Sequence, residues 1–217
     1  MMPLTFGGLR TPPRRVLCLG AHSDDIEIGC GGTMLTLRKR FPKLEFRWIV
    51  FSSGHERAEE ARRSAALFLK RAGRSQIVVK DFRDRFFPFM GAEIKEFFDQ
   101  FSQEFSPDII FTHYRHDLHQ DHRTICELTW NAFRNHLILE YEIPKYDGDL
   151  GAPNVFVPLD RGACERKIKN ILAAFTSQRA KPWFTRETFL ALLRLRGIEC
   201  GAPSGLAEAF YGRKIVV

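Results

Sequence analysis

The sequence predicts an α/β fold: a Rossmann-like sandwich with a mostly parallel central sheet flanked by helices and a ligand site at the carboxyl ends of the strands. Three observations predict it. Apolar runs of strand length recur at Val16 to Leu19, Phe46 to Phe51, Gln76 to Val79 and Asp108 to Thr112. Each is followed by a stretch that reads as a helix, and strand–helix alternation builds parallel sheets through right-handed crossovers. The chain of 217 residues, 44% hydrophobic, is long enough to bury a substantial core and falls within the size of one α/β domain, so residues 1–217 are expected to form a single domain.

The clearest helix runs from about His55 to Ala72, with Ala58, Ala61, Ala65, Phe68, Leu69 and Ala72 on one face and Arg and Glu on the other, ending at Gly73. Gly91 to Glu104 repeats the pattern through Ile94, Phe97, Phe98 and Phe101, and Pro107 separates it from the next strand. Beyond Asn135 a Pro- and Gly-rich stretch, EIPKYDGDLGAPNVFVPLD, suggests short strands and loops rather than another regular unit. Asp160 then caps a helix from Arg161 to Phe175, and a last helix from about Arg186 to Leu195 stops at Gly197. There is no internal repeat and no low-complexity tract.

Thirty-three Lys and Arg against 26 Asp and Glu leave a net charge of +7, which suits an acidic substrate, an anionic surface or plain solubility. The basic residues are scattered, and with no clustered basic helix, aromatic RNA-binding motif or zinc-finger spacing, nucleic acid is not an expected partner. Five cysteines (Cys18, Cys30, Cys126, Cys164, Cys200), odd in number and without a C-x-x-C pair, suggest neither a disulfide framework nor a thiolate cluster. The N-terminal MMPLTFGGLRTPPRR lacks an apolar core, and no stretch approaches the roughly 20 apolar residues that cross a bilayer. A cytoplasmic protein without an integral membrane segment is expected.

Two clusters carry chemistry. The first strand runs into AHSDDIEIGCGGT, which places His22, Asp24 and Asp25 at the carboxyl end of a parallel strand, where ligands bind in open α/β sheets. His22 and Asp25, three apart in a turn, can meet one ion, leaving the adjacent Asp24 free for proton transfer. Gly29, Gly31 and Gly32 read as a tight turn into the next helix. The second cluster, HYRHDLHQDHR, follows the fourth strand to the same edge and offers His113, His116, His119 and His122 with Asp117 and Asp121, four of the chain's seven histidines. A third ligand from this cluster would leave a metal position open for water, as catalytic zinc sites require. Alone, HSDD reads equally as a helix cap and the His-rich loop as a solvated one; together, each after a parallel strand, they point to a metal centre. The glycines do not satisfy G-x-G-x-x-G.

The same residues carry a family resemblance. Ala21-His22-Ser23-Asp24-Asp25 through Gly31-Gly32-Thr33 resembles the A-H-P-D-D…G-G-T motif of the LmbE-like, or PIG-L, de-N-acetylases, and Asp117 to His122 resembles their D-x-H-x-D-H motif. Similarity continues through Ser53-Gly54, Ser177-Gln178, Arg196-Gly197 and Ala207 to Phe210. The resemblance implies that His22, Asp25 and His122 are metal ligands, that Asp24 is the general base, and that His119 supports the oxyanion or acts as acid with Asp121 behind it. The cofactor implied is Zn2+ or another divalent metal. Ser23 stands where the family usually has Pro and is expected to loosen the turn slightly; His113 and His116 lie outside the motif and receive no metal role.

The substrate class implied is an N-acetylated amino sugar, typically an N-acetylglucosamine conjugate, hydrolysed to free amine and acetate. The charge favours a nucleotide- or phosphate-linked form, with Arg57, Arg83, Arg85 and Arg123 as weak candidates for phosphate contact. Relatives of this kind are often oligomeric, so a homo-oligomer is compatible with the sequence. The competing functions are hydrolysis or lysis of another acyl or phosphoryl bond, and a non-catalytic sugar-binding relative; retention of Asp24 and of all three ligands argues against the last.

Overall fold

The computed structural model describes residues 12–70 and 72–215. Residues 1–11, on which much of the expectation about an export signal rests, lie outside the described residues.

The chain runs β1 (Arg15–Gly20), α1 (Asp25–Arg40), β2 (Glu45–Val50), α2 (His55–Leu69), β3 (Arg74–Val79), α3 (Gly91–Glu104), β4 (Ile109–His113), α4 (Gln120–Ala132), β5 (Leu137–Tyr141), β6 (Val155–Pro158), α5 (Arg161–Ala174), α6 (Arg186–Glu199) and β7 (Ala207–Gly212). One seven-stranded sheet has the order β3-β2-β1-β4-β5-β7-β6. The first five strands pair in parallel, and β7 pairs antiparallel with both β5 and β6. The expected α/β class is thus the observed one.

Alternation along each central strand decides which layer each side chain feeds. Val16 and Cys18 of β1 join a core with residues of α1, α2, α5 and α6, while Leu17 and Leu19 face a second core built on Ile94 and Phe98 of α3 and Ile125 of α4. Both faces of the sheet are therefore covered, which is why β1 and β4 read as continuous apolar runs.

Several expectations are corrected. Helix α2 ends at Leu69, before Ala72. The glycines Gly29, Gly31 and Gly32 do not turn the chain: they lie inside α1, where a Cβ would sit 2.2 Å from the Tyr141 ring, 2.6 Å from Phe68 and 2.4 Å from Leu159. They are small because α1 is packed hard against the sheet and α2. Helix α6 continues past Gly197 to Glu199, because a glycine there lets the helix lie against Gly205, whose carbonyl oxygen would be 2.2 Å from a Cβ. The stretch beyond Asn135 contains a further regular unit, the parallel strand β5, before the loops begin.

None of the five cysteines is paired. No helix among the described residues is long and apolar enough to cross a membrane.

Candidate metal centre

Strand order reverses direction between β1 and β4, whose outward connections run to opposite sides, and such a switch point opens a crevice at the carboxyl edge. The two sequence clusters meet there. Asp24 precedes α1 without a side-chain capping bond and Asp25 opens it; His119 caps α4, with Asp121 and His122 in its first turn. Two helix N-termini thus converge on one point, each contributing partial positive charge to the carboxylates beside it.

Three atoms face one another at the centre. His22 Nδ1 lies 3.2 Å from His122 Nε2 and 3.4 Å from Asp25 Oδ2, and His122 Nε2 lies 3.6 Å from that oxygen. Ligands at about 2.0–2.1 Å in tetrahedral array are about 3.3–3.4 Å apart. The outer nitrogens are both tied to carboxylates: His122 Nδ1 to Asp117 Oδ2 at 2.9 Å, His22 Nε2 to Asp84 Oδ1 at 3.0 Å and Asp121 Oδ2 at 3.3 Å. A carboxylate that takes the outer N–H leaves the inner nitrogen as a lone pair, the arrangement of carboxylate–histidine–metal sites. Two imidazole nitrogens and a carboxylate oxygen converging in a buried spot form a donor set that fits a divalent ion.

Without an ion, the titration shifts follow the carboxylates and imidazoles packed around the centre. Burial acts against ionised Asp25, yet His122, His113 and His22 around it hold its carboxyl well below the usual range. Burial and the neighbouring His113 push His122 down to about 3. Burial opposes charging of His22 too, but Asp25, Asp121 and Asp84 together raise it well above an ordinary imidazole. Asp24 is raised, chiefly by burial, with Arg57 as the largest opposing influence. His119 is lowered by burial and by His22.

Asp24 accepts from Arg57 Nη2 at 2.8 Å. Arg57 is therefore at the site, bonded to the candidate base rather than free for a ligand. His119 Nδ1 accepts the Asp121 N–H at 3.2 Å, which leaves the ring proton on Nε2. The Asp121 carboxylate lies within 4.8 Å of a His119 ring nitrogen, accepts Arg85 N–H at 2.6 Å and Phe87 N–H at 3.2 Å, and touches His22. Arg85 adopts φ 68° to make that bond, and its side chain is exposed beside Asp84. Arg83 stacks on Phe86 at 3.6 Å, and Arg123 donates to the Asp117 carbonyl at 2.9 Å, so neither is oriented toward the centre by a contact with it. Ser23 is buried, and its hydroxyl bonds that of Ser53 at 2.9 Å.

Residues that sequence reasoning missed are Asp84, Lys145 and Lys181. Asp84 lies in the aperiodic loop after β3, a third connection at the same sheet edge, which was the available signal. Lys145 lies 3.0 Å from Asp117 and also pairs with Asp149, whose other contact is the Leu118 N–H at 2.7 Å. Lys181 adds positive charge beside Asp24.

The model of the PIG-L family, GlcNAc-PI de-N-acetylase, matches residues 17–133, from β1 through both clusters to the end of α4. The chain belongs to this family. It is accordingly a hydrolase of the deacetylase class. Among relatives of this de-N-acetylase, a deacetylase of Escherichia coli (strain K12), YaiS, is 29% identical over 142 residues, 59% of this chain and 74% of its own. The N,N'-diacetylchitobiose deacetylase of Pyrococcus horikoshii superposes with a TM-score of 0.68 at 20% identity, over 93% of this chain and 84% of its own. A conserved protein of Thermus thermophilus, TT1542, superposes at 0.72 and 19% identity, over 93% and 95%. At such identities the superpositions show the shared fold.

Proposed function

We propose that this de-N-acetylase is a divalent-metal-dependent, zinc-type enzyme that hydrolyses the acetamide of an N-acetylglucosamine conjugate to free amine and acetate. The observation that carries the proposal is the convergence of His22 Nδ1, Asp25 Oδ2 and His122 Nε2 at 3.2–3.6 Å, each imidazole backed by a carboxylate. These three residues would hold the ion, and a His2Asp set suits zinc. When bound, the ion would acidify a water and polarise the acetamide carbonyl.

The chain's own residues do the rest. Asp24, ionised and held by Arg57, takes the proton of the attacking water. His119, lowered and so neutral near pH 7, presents Nε2–H as a donor to the oxygen on which negative charge develops. Asp121 fixes His22 and the Arg85–Phe87 loop that walls the site, rather than passing a proton. Delivery of the proton taken up by Asp24 to the departing nitrogen completes amide cleavage.

Exposed Arg85 and the charge of Lys181 beside Asp24, with the net charge of +7, support a nucleotide- or phosphate-linked amino sugar. Five unpaired cysteines suit a reducing compartment such as the cytoplasm.

The test is acetate release from a panel of N-acetylglucosamine conjugates (nucleotide-linked, phosphorylated, lipid-like, free oligosaccharide) with and without chelator. Chelator-sensitive release from a phosphorylated member is expected. No release from any member by metal-loaded protein would sink the assignment.

A further inference from the structure

His113 ends β4 at the base of the centre, is fully buried, and lies outside the three-atom set. Its Nε2 accepts the Ala21 N–H at 2.9 Å, immediately before His22 in the chain. The same nitrogen lies 3.3 Å from Asp25 Oδ2 and 3.3 Å from the Tyr141 hydroxyl, which donates to the Leu19 carbonyl at 2.6 Å. Its ring lies on that of His122, centroids 3.9 Å apart and planes within 20°. One side chain thus touches the backbone that presents His22, the carboxylate of Asp25 and the ring of His122.

Its hydrogen-bond pattern distinguishes it from a core filler. Nε2 accepts from Ala21, and the other ring nitrogen, Nδ1, is buried with no hydrogen-bond partner. A buried unsatisfied donor is unfavourable. An apolar ring would fill the same space without an orphan; what His supplies is the Nε2 lone pair in this position. That lone pair is used by Ala21, so His113 is not arranged as a fourth ligand, although its nitrogen falls within 4.8 Å of donor atoms of Asp25 and His122.

We infer that His113 is a positioning residue for the metal centre, clamping the end of β1 through Ala21 and supporting His122, so that the three donor atoms are preset before an ion arrives. This rests on the metal reading of the site.

The test uses His113→Gln, whose side-chain oxygen reaches the place of Nε2, against His113→Asn, whose shorter side chain does not, and His113→Phe, which keeps the stack and loses the acceptor. Zinc affinity is measured by chelator competition on the full chain, the visible spectrum of the cobalt-substituted protein reports the coordination geometry, and circular dichroism of the metal-free proteins checks folding. Outer residues that orient metal ligands typically change affinity by about 10–100-fold, and a loss of that size with an altered cobalt spectrum is expected for Asn and Phe, with Gln restoring the parent's behaviour. If Asn and Phe bind zinc as tightly as the parent with an unchanged spectrum, His113 is merely packed there. If Gln is as weak as Asn, the imidazole itself is needed and the clamp is wrong. Should Phe fail to fold, the Gln–Asn pair decides alone. A parent that binds no ion overturns the metal reading itself, and this inference with it.

Discussion

Replacing Arg57 by Gln is expected to move the acid limb of the kcat/KM profile to higher pH. Asp24 is pushed up by burial and restrained by Arg57, whose Nη2 lies 2.8 Å from Oδ1. Without that cation the ionised carboxylate loses its partner, its pKa rises further, and the deprotonated base is present only at higher pH. Unit charges about 4 Å apart attract by roughly 4 kcal/mol at an effective dielectric near 20. The Arg57 side chain is 27% exposed, so solvent screens part of this. An Arg beside an Asp lowers its pKa by about 1–3 units; taking the lower half gives a shift of about 1–2 units, or roughly 1.4–2.7 kcal/mol. Below both limbs the variant should therefore be about 10–100-fold slower, and well above them the limb itself costs nothing. The assay is acetate release against pH at low substrate. Any loss of substrate contact lowers the whole curve, whereas the position of the limb belongs to the free enzyme. An unmoved limb, or one displaced to lower pH, would refute Asp24 as the ionisable base held by Arg57.

Other substitutions probe separate parts. His119→Ala should leave zinc affinity near that of the parent while kcat falls about 10²–10³-fold, since only a donor to the developing charge is lost; kinetics on metal-loaded protein decide it. Asp117→Asn should weaken zinc binding by about 10–100-fold in chelator competition, because the acceptor of His122 Nδ1–H at 2.9 Å is compromised. Lys167→Met should destabilise the fold by about 3–5 kcal/mol in urea denaturation, because it leaves the buried Glu208 without its cation.

The last of these pairs also explains what was hidden in the sequence. Strands β1, β2 and β4 and helices α2, α3 and α5 were legible because their buried faces are apolar and regularly spaced. Strands β5 and β7 were not, because each carries a buried carboxylate. Glu140 in β5 accepts from Trp130 Nε1 at 2.6 Å and from the Arg115 N–H at 3.0 Å. Glu208 in β7 accepts the Gly32 and Thr33 N–H groups at 2.7 and 2.6 Å while pairing with Lys167. A charge satisfied by a distant partner reads locally as an exposed position. For the site, residue types and spacing sufficed to bring His22, Asp25 and His122 to one point, since both clusters follow parallel strands. The partners of Asp121 and the approach of Asp84 were not legible, because they depend on the path of the loop after β3, which no periodicity marks.

The central claim is that one divalent ion among His22, Asp25 and His122 is required for deacetylation. Its most direct test is acetate release by metal-free enzyme titrated with zinc, using the best substrate of the panel. Release should rise from background and level off at one equivalent of zinc per chain. Full activity before any zinc is added, or stoichiometric zinc binding with no gain in release, would contradict it.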